Sequence, residues 1–285
     1  MKRRSCLGHL TALAAATSTL GAARAQAQAA RAGAEPLRLG VEAALALSGL
    51  AARWQAAARK DLGLALDLRP GPGQDLLRRL EAGELDVAIT SVPQQEAALE
   101  RQGLIHDRRA VAASRALLVG PPKDPAGIKG LASAAEALAR IAQEGALSQW
   151  AVQTGQPGGT GYVAQGEASG LQALEARLWH PLGARAQGAW RRTAPPGPAE
   201  ALQLASRWPV GGGYALVEQA VWARAGKLPL KVWIDADPEL VTVYSVSRSF
   251  RVNHPAGKLF VAWLAGPMGR RVVGGAGAGW RLPPG

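Results

Sequence analysis

Cysteine is almost absent from this chain of 285 residues. The single cysteine, Cys6, lies in an N-terminal segment that has the features of a cleavable signal peptide. Cleavage would leave a mature chain without thiols. Disulfides, cysteine-ligated metals and cysteine nucleophiles are therefore excluded from the mature protein.

Sequence motifs typical of catalysis are also missing. The histidines that follow the signal segment, His106, His180 and His254, are far apart and show no HExxH spacing. A GxSxG nucleophile elbow is absent, because Glu167 stands two positions before Ser169 where the motif needs glycine. The run GPGQDL lacks the third glycine of a dinucleotide-binding fingerprint. We therefore expect no enzyme activity, no cofactor and no metal site.

Aromatic residues make up only 5% of the chain, and most of them are tryptophan: 9 Trp against 2 Phe and 3 Tyr. The hydrophobic share is 48%, which is enough for a sizeable core and is unlike a disordered chain. Most tryptophans are expected in the core or at surfaces that anchor one part of the fold to another. A tryptophan that lined a cleft would instead favour an organic ligand.

The N-terminus has the three regions of a signal peptide in order. Lys2, Arg3 and Arg4 form a basic region, residues 10–20 are mildly apolar, and residues 23–25 read Ala-Arg-Ala, an A-x-A cleavage site. The apolar region is too short to span a membrane. Residues 1–25 are therefore predicted to direct export to the periplasm through either the Sec or the twin-arginine route.

Export also affects how the positive charge is interpreted. The signal peptide carries four of the 33 basic residues, so the mature chain has 29 basic and 21 acidic residues, a net charge of +8. This balance fits anionic partners, but it equally fits an ordinary solvated surface. Nucleic acid is not expected as a partner, because the protein is predicted to leave the cytoplasm.

Strand and helix patterns alternate along the mature chain. Strands are predicted at residues 37–41, 64–68 and 85–90. Helices are predicted from residue 48, with Ser48 as the N-cap, at 74–84 and at 93–103. Such alternation favours parallel βαβ units. A Gly-Pro-Pro run at 120–122 indicates a crossing to a second alternating region. The predicted organisation is an α/β chain with one lobe at 36–118 and 246–285 and a second at 119–245.

Residues 163–170, VAQGEASG, form a small polar loop before a helical pattern that begins at Leu171. Ser169 stands at the N-cap position and Gln172 follows three residues later, which is a capping-box pattern. Two interpretations remain open. Ser169 caps the helix, or the loop contacts a ligand directly, since the first amides of a helix are unpaired and can bind an anion.

Several collinear motifs resemble the tungstate-binding, molybdate-related substrate-binding proteins of ABC importers. The most specific is residues 117–142, which matches that family's VGP-x-x-DPAGI run followed by an EAL-x-x-IA helix. Residues 71–96, 177–183 and 260–273 are also similar. The resemblance runs from about Leu37 to the C-terminus. It implies a two-lobe periplasmic-binding-protein fold of type II, with mixed or parallel sheets flanked by helices, and an ABC permease and ATPase as partners.

The resemblance also implies where a ligand would bind, and there this sequence differs. The family holds its oxyanion with small hydroxyls, backbone amides and an arginine. The family's Thr-Thr-Thr-Ser loop after the first strand corresponds here to residues 41–44, Val-Glu-Ala-Ala. Its Gly-Thr-Gly-Gln has Pro72 in place of threonine, and its ligand arginine corresponds to Gln165. A later Asp-Arg pair corresponds to residues 218–219, Glu-Gln.

The scaffold motifs therefore match, whereas the oxyanion-binding positions have changed. The candidate cleft residues are Val41, Glu42, Ala44, Ser48, Pro72, Gly73, Ser91, Ser114, Gln165, Gly166, Ser169 and Glu218. The sequence predicts a monomeric, exported solute-binding protein of an ABC importer with a degraded oxyanion site. Its ligand is a small solute, with an oxyanion as one candidate. The alternative is a degenerate binding scaffold that acts as a sensor or an accessory protein partner.

Overall fold

Alternating strands and helices assemble around one mixed β-sheet. In this computed structural model the described residues are 35–154, 159–209, 212–277 and 279–284. The predicted signal peptide at residues 1–25 lies outside them. The described strands are β1 (Leu37–Glu42), β2 (Leu66–Gly71), β3 (Val87–Thr90), β4 (Ile105–Gly120), β5 (Tyr162–Ala164), β6 (Arg191–Thr193), β7 (Tyr214–Glu218), β8 (Lys231–Ile234) and β9 (Val241–Ser249).

Helices cover the sheet and join most of the strands. The described α-helices are α1 (Ala43–Ser48), α2 (Leu50–Leu62), α3 (Gly73–Ala82), α4 (Pro93–Arg101), α5 (Ala134–Leu147), α6 (Gln149–Thr154), α7 (Gly170–Trp179), α8 (Glu200–Ser206), α9 (Gln219–Trp222), α10 (Gly257–Ala265) and α11 (Pro267–Gly274). Short 3₁₀ helices span His180–Ala186 and Pro238–Leu240. Within the described ranges, no helix combines the length and the apolar character that a bilayer span requires.

The strand order is β2-β1-β3-β9-β4-β7-β5-β6, and β8 pairs with β4 beside this path. At one end β1 pairs in parallel with β2 and β3, and at the other β5 pairs in parallel with β6 and β7. The predicted parallel βαβ units are thus found in both halves. The central strands β4 and β9 run antiparallel to each other and to their other neighbours, which makes the sheet mixed.

The long strand β4 connects the two halves. Its first part pairs with β9, and its last part pairs with β7 and β8. Each half has hydrophobic packing of its own: one cluster contains Trp54 and Phe260, and the other contains Trp190 and Tyr214. Along the chain, the buried residues pass from the first cluster to the second between residues 112 and 116, and they return to the first between 240 and 244. The predicted lobe limits at residues 118 and 246 stay predictions, although they lie close to the two positions where the chain passes between the clusters.

The prediction that Ser48 caps a helix was wrong. Ser48 is the last residue of α1, and its hydroxyl donates to the Leu45 carbonyl at 3.1 Å. Gly49 follows with φ +82°, a left-handed conformation that glycine adopts without strain, and α2 begins only at Leu50. The helix predicted from residue 48 corresponds to α2, and α1, which precedes it, was not predicted.

Candidate functional site

The candidate cleft lies where loops and helix N-termini of the two halves meet. The Gln74 amide at the start of α3 donates to the Ala168 carbonyl at 3.2 Å, which links the halves directly. Gly170 at the start of α7 packs against Ser91, so closely that an added Cβ would lie 2.1 Å from Ser91 Oγ. Only glycine allows this approach, and the two halves are therefore in contact at the predicted cleft.

Glu42 is the centre of the first group of cleft residues. It ends β1, is 1% exposed, and accepts hydrogen bonds from the Ser91 amide and the Ser91 hydroxyl, both at 2.7 Å. Burial raises the pKa of Glu42 to about 8, and the Ser91 donors only partly oppose that shift. Both polar donors of Ser91 are thus occupied by a carboxylate of the same chain.

Gly73 completes the surroundings of this carboxylate. A Cβ at Gly73, the first residue of α3, would lie 2.2 Å from Glu42 Oε1 and 2.8 Å from Val92 Cγ2. The Glu42 side chain therefore packs against the start of α3 in a space that exists because residue 73 has no side chain. Sequence reasoning placed Glu42, Gly73 and Ser91 in one cleft, and the structure brings these three together.

Glu218, at the end of β7, forms the second group together with Tyr244 and Ser114. The Tyr244 hydroxyl donates to Glu218 Oε1, whereas Glu218 Oε2 is buried without a hydrogen-bond partner. Burial raises the pKa of Glu218 to about 7, and the neighbouring Ser114 opposes that shift. Ser114 Oγ is nevertheless outside hydrogen-bond geometry and has no partner either. Glu218 Oε2 and the neighbouring Ser114 hydroxyl are thus the two polar atoms of this group that form no hydrogen bond.

A third carboxylate, Glu167, lies in the loop that precedes α7. Glu167 is buried, and burial raises its pKa. Its charge contributes to the raised pKa of Glu218, and Glu218 contributes in turn to that of Glu42. Burial is the main cause of the raised pKa of all three carboxylates, and each ionises less readily than an exposed glutamate.

The VAQGEASG loop caps α7, as one of the two interpretations predicted. Ser169 Oγ accepts from the Gln172 amide at 3.4 Å. Gln165 faces its own half. Its backbone amide donates to Glu175 Oε2 at 2.8 Å, and its side-chain Nε2 donates to the Leu216 carbonyl at 2.6 Å. Direct ligand contact by this loop stays a prediction, but the Gln165 side chain is already engaged within its own half.

The remaining candidate residues are not gathered around the carboxylates. Val41 is buried in the core of its own half, and Ala44 joins the hydrophobic cluster of the other half. Ser48 presents its carbonyl to Arg224 Nη2 at 2.9 Å. Gly166 lies tightly against the Ala194 carbonyl. Pro72, which immediately precedes α3, is partly exposed.

Sequence reasoning missed Tyr244 and Thr242 of β9. Thr242 Oγ1 is buried without a hydrogen-bond partner. It lines a cavity of about 70 Å³ together with Ser91, Gly170 and the charged side chain of Arg177. The alternation in the run VTVYSVS could have placed Thr242 and Tyr244 on one face of a strand. Which face borders the cleft depends on the register between β9 and β4, where Thr242 lies opposite Ser114.

Comparison with known proteins places the chain among solute-binding proteins. Residues 39–279 match the family of bacterial extracellular solute-binding proteins. A provisionally named ABC transporter anion-binding protein of Haloferax volcanii is 25% identical over 202 residues. The match covers 67% of this chain and 54% of that relative, so the chain spans about half the relative's length.

Two solved structures named for tungstate share the fold. The tungstate ABC transporter protein from Geobacter sulfurreducens is 22% identical, with a TM-score of 0.71 and coverage of 84% of this chain and 98% of that one. The tungstate-binding protein TupA from Desulfovibrio alaskensis G20 is 22% identical, with a TM-score of 0.70 and coverage of 88% and 100%. The predicted type II periplasmic-binding-protein fold is confirmed. By the extent of the family match, the chain belongs to the bacterial extracellular solute-binding proteins.

Proposed function

We propose that this protein is an exported, periplasmic receptor that delivers a small solute to an ABC permease and its ATPase, and that its cleft no longer favours a tungstate-like dianion. The receptor role is supported by the family match and by relatives named for ABC transport. Its action is binding and release, without catalysis. The described residues include no group of three or more His, Cys, Asp or Glu side chains that could hold a metal ion.

One observation carries the altered preference: the Glu42 carboxylate accepts both polar donors of Ser91. A dianion in a dry cleft needs charge-assisted hydrogen bonds to offset its lost hydration. Each such bond contributes roughly 1.5–3 kcal/mol, so losing these two would weaken binding by about 3–6 kcal/mol. That corresponds to a factor of roughly 10²–10⁴ in affinity. Glu218, whose pKa burial raises to about 7, is partly ionised at neutral pH, and that charge would repel a dianion further.

A thermal-shift screen of the purified protein tests the proposal. The panel contains tungstate, molybdate, sulfate, phosphate, amino acids, small organic acids, uncharged polyols and small amines. A solute that binds the native state raises the melting temperature, and about 100-fold excess over Kd adds about 2.7 kcal/mol of stability. We expect a shift with at least one solute that is not a tetrahedral oxyanion. A response restricted to tungstate or molybdate would refute the altered preference.

A second candidate is the degenerate scaffold that works through protein contacts. It is favoured by the tight approach of Gly170 to Ser91 and by the small cavity beside it, since both limit the space for a solute. A pull-down from periplasmic extract separates the two candidates. Recovery of the permease alone supports the transport receptor, whereas stable capture of a different protein, with no solute active in the screen, supports the scaffold.

A further inference from the structure

A second pocket, away from the cleft, opens beside α9. Its volume of about 360 Å³ is in the range of sites that hold small organic molecules. The side chains of Leu117, Trp222, Ala223 and Val232 give it an apolar lining. None of its lining residues borders the cavity beside Ser91, so the two are distinct. A lining of this kind, with one partly exposed indole, favours an organic ligand over an inorganic ion.

This pocket is formed where the two halves join. The helix α9 contributes residues to the hydrophobic clusters of both halves. Gly279, from the C-terminal segment, lines the pocket so close to Gln219 that an added Cβ would lie 2.5 Å from Gln219 Cγ. The C-terminal segment is itself held on β4, because Arg281 and Ala113 exchange backbone hydrogen bonds at 2.8 and 2.9 Å. The pocket lining is therefore fixed by backbone pairing and close packing.

Gln219 brings a hydrogen-bond acceptor to this apolar pocket. Its side chain lines the pocket, and its Oε1 is buried and forms no hydrogen bond. Buried acceptors normally have a donor, and an N–H group of a ligand would supply one here. The last torsion of a glutamine side chain is soft, so the amide can turn its oxygen toward a donor in the pocket.

The charges beside the pocket balance one another. Asp235 places a carboxylate in the lining, and Arg115 lies next to it, since its Nη1 donates to the Asp235 backbone carbonyl at 2.6 Å. Two further basic residues near α9 and β8 are directed elsewhere: Lys231 lies over an indole ring at 4.1 Å, and Arg224 donates to the last carbonyl of α1 at 2.9 Å. A neutral ligand therefore fits this pocket better than an ion of either sign.

We propose that this pocket binds a small neutral aromatic molecule that carries an N–H group, with its ring against Trp222 and its N–H donating to Gln219 Oε1. The apolar side chains around Trp222 supply the contact area for the ring. The amide oxygen supplies the specificity, because an analogue without the N–H would leave the Gln219 acceptor unsatisfied. The site is additional to the cleft and does not depend on the receptor role proposed above.

Isothermal titration calorimetry of the full mature protein with indole, aniline and benzamide tests the proposal. All three probes are aromatic, carry N–H groups and are uncharged at neutral pH. The matched control for each probe is its N-methylated form, which keeps the ring and has no N–H. We expect at least one probe to bind saturably, and its methylated match to bind at least about fivefold more weakly.

Substitutions show whether the probe binds in this pocket. Gln219→Leu removes the acceptor and Trp222→Ala removes the indole, and each should weaken the binding probe at least about fivefold. Asp235→Asn removes the carboxylate and should leave the affinity for a neutral probe unchanged. Trp150→Ala removes an exposed indole of α6 that lies outside the pocket, and it should also leave the affinity unchanged. Far-ultraviolet circular dichroism confirms that each variant is folded.

Four results would each overturn the proposal. These are no saturable binding of any probe, equal affinity for a probe and its methylated match, unchanged affinity in both Gln219→Leu and Trp222→Ala, and loss of binding in Asp235→Asn. The last result would show that the pocket selects a cation. All four results leave the receptor role in place, because the substituted residues lie outside the cavity beside Ser91.

Discussion

Replacing Glu42 with glutamine should make the protein more stable at alkaline pH and little different at acidic pH. Glutamine has nearly the same shape as a protonated glutamate. Its oxygen can accept from the Ser91 amide, and its amide group can donate to the Ser91 hydroxyl, so the two contacts at 2.7 Å are preserved in kind. The variant removes the ability of residue 42 to ionise and little else.

The magnitude follows from the pKa of Glu42, which burial raises from 4.5 to about 8. A folded-state pKa above the unfolded value means that the native state binds the proton more tightly. The protonated Glu42 carboxyl therefore contributes its full stabilisation below about pH 4.5, and this stabilisation is lost as the pH rises to about 8. At 1.36 kcal/mol per pKa unit, the loss amounts to about 5 kcal/mol. This is comparable to the lower end of typical domain stabilities.

Urea denaturation of wild type and Glu42→Gln at about pH 5 and about pH 9 measures the difference. The free energy of unfolding of wild type should fall steeply between these pH values, and that of the variant should fall less. The difference between the two proteins should therefore increase by several kcal/mol. Glu136→Gln, which changes an exposed glutamate, should show no such gap. A gap of the same size at both pH values would refute the reasoning, because Glu42 would then not hold its proton in the native state.

Three further substitutions test the cleft geometry. Gly170→Ala should separate the halves, because its Cβ would lie 2.1 Å from Ser91 Oγ. Small-angle scattering should then show a larger radius of gyration. Gly274→Ala, at a position that faces open space, should leave the radius of gyration unchanged. Gly73→Ala should lower the free energy of unfolding by about 1–3 kcal/mol through overpacking against the Glu42 carboxylate, and a urea midpoint equal to wild type would contradict that packing. Ser169→Ala should lower the free energy of unfolding by about 1 kcal/mol through loss of the cap, and Ser169→Gly should be closer to wild type. A loss of solute binding with unchanged stability would instead mean that the loop contacts the ligand.

Much of the fold could be predicted because its signals are local. The continuous apolar run of β3 and the amphipathic pattern of α3 are typical of a buried strand and a surface helix. The three-residue strands β5 and β6 were not predicted, since so few residues cannot display a period. The helix start was wrongly placed at Ser48 because Gly49 is left-handed and ends α1, and a glycine in the sequence does not specify which φ it adopts.

The site was predictable only in part. Resemblance to a family placed Glu42, Ser91 and Glu218 near one cleft, because short motifs mark where the loops of a known scaffold fall. Their pairing could not be predicted, because the Glu42–Ser91 bonds join residues 49 positions apart. The role of Tyr244 was missed for the same reason, since its contact with Glu218 depends on the register of β4 against its two antiparallel neighbours.

Calorimetric titration of the wild-type protein with tungstate at neutral pH tests the central claim most directly. If the Glu42 carboxylate occupies the donors of Ser91, and Glu167 and Glu218 line the same cleft, tungstate should show no saturable binding below roughly millimolar concentration. Saturable binding at micromolar concentration or tighter would contradict the account, since it would require the Ser91 donors to be free for the anion.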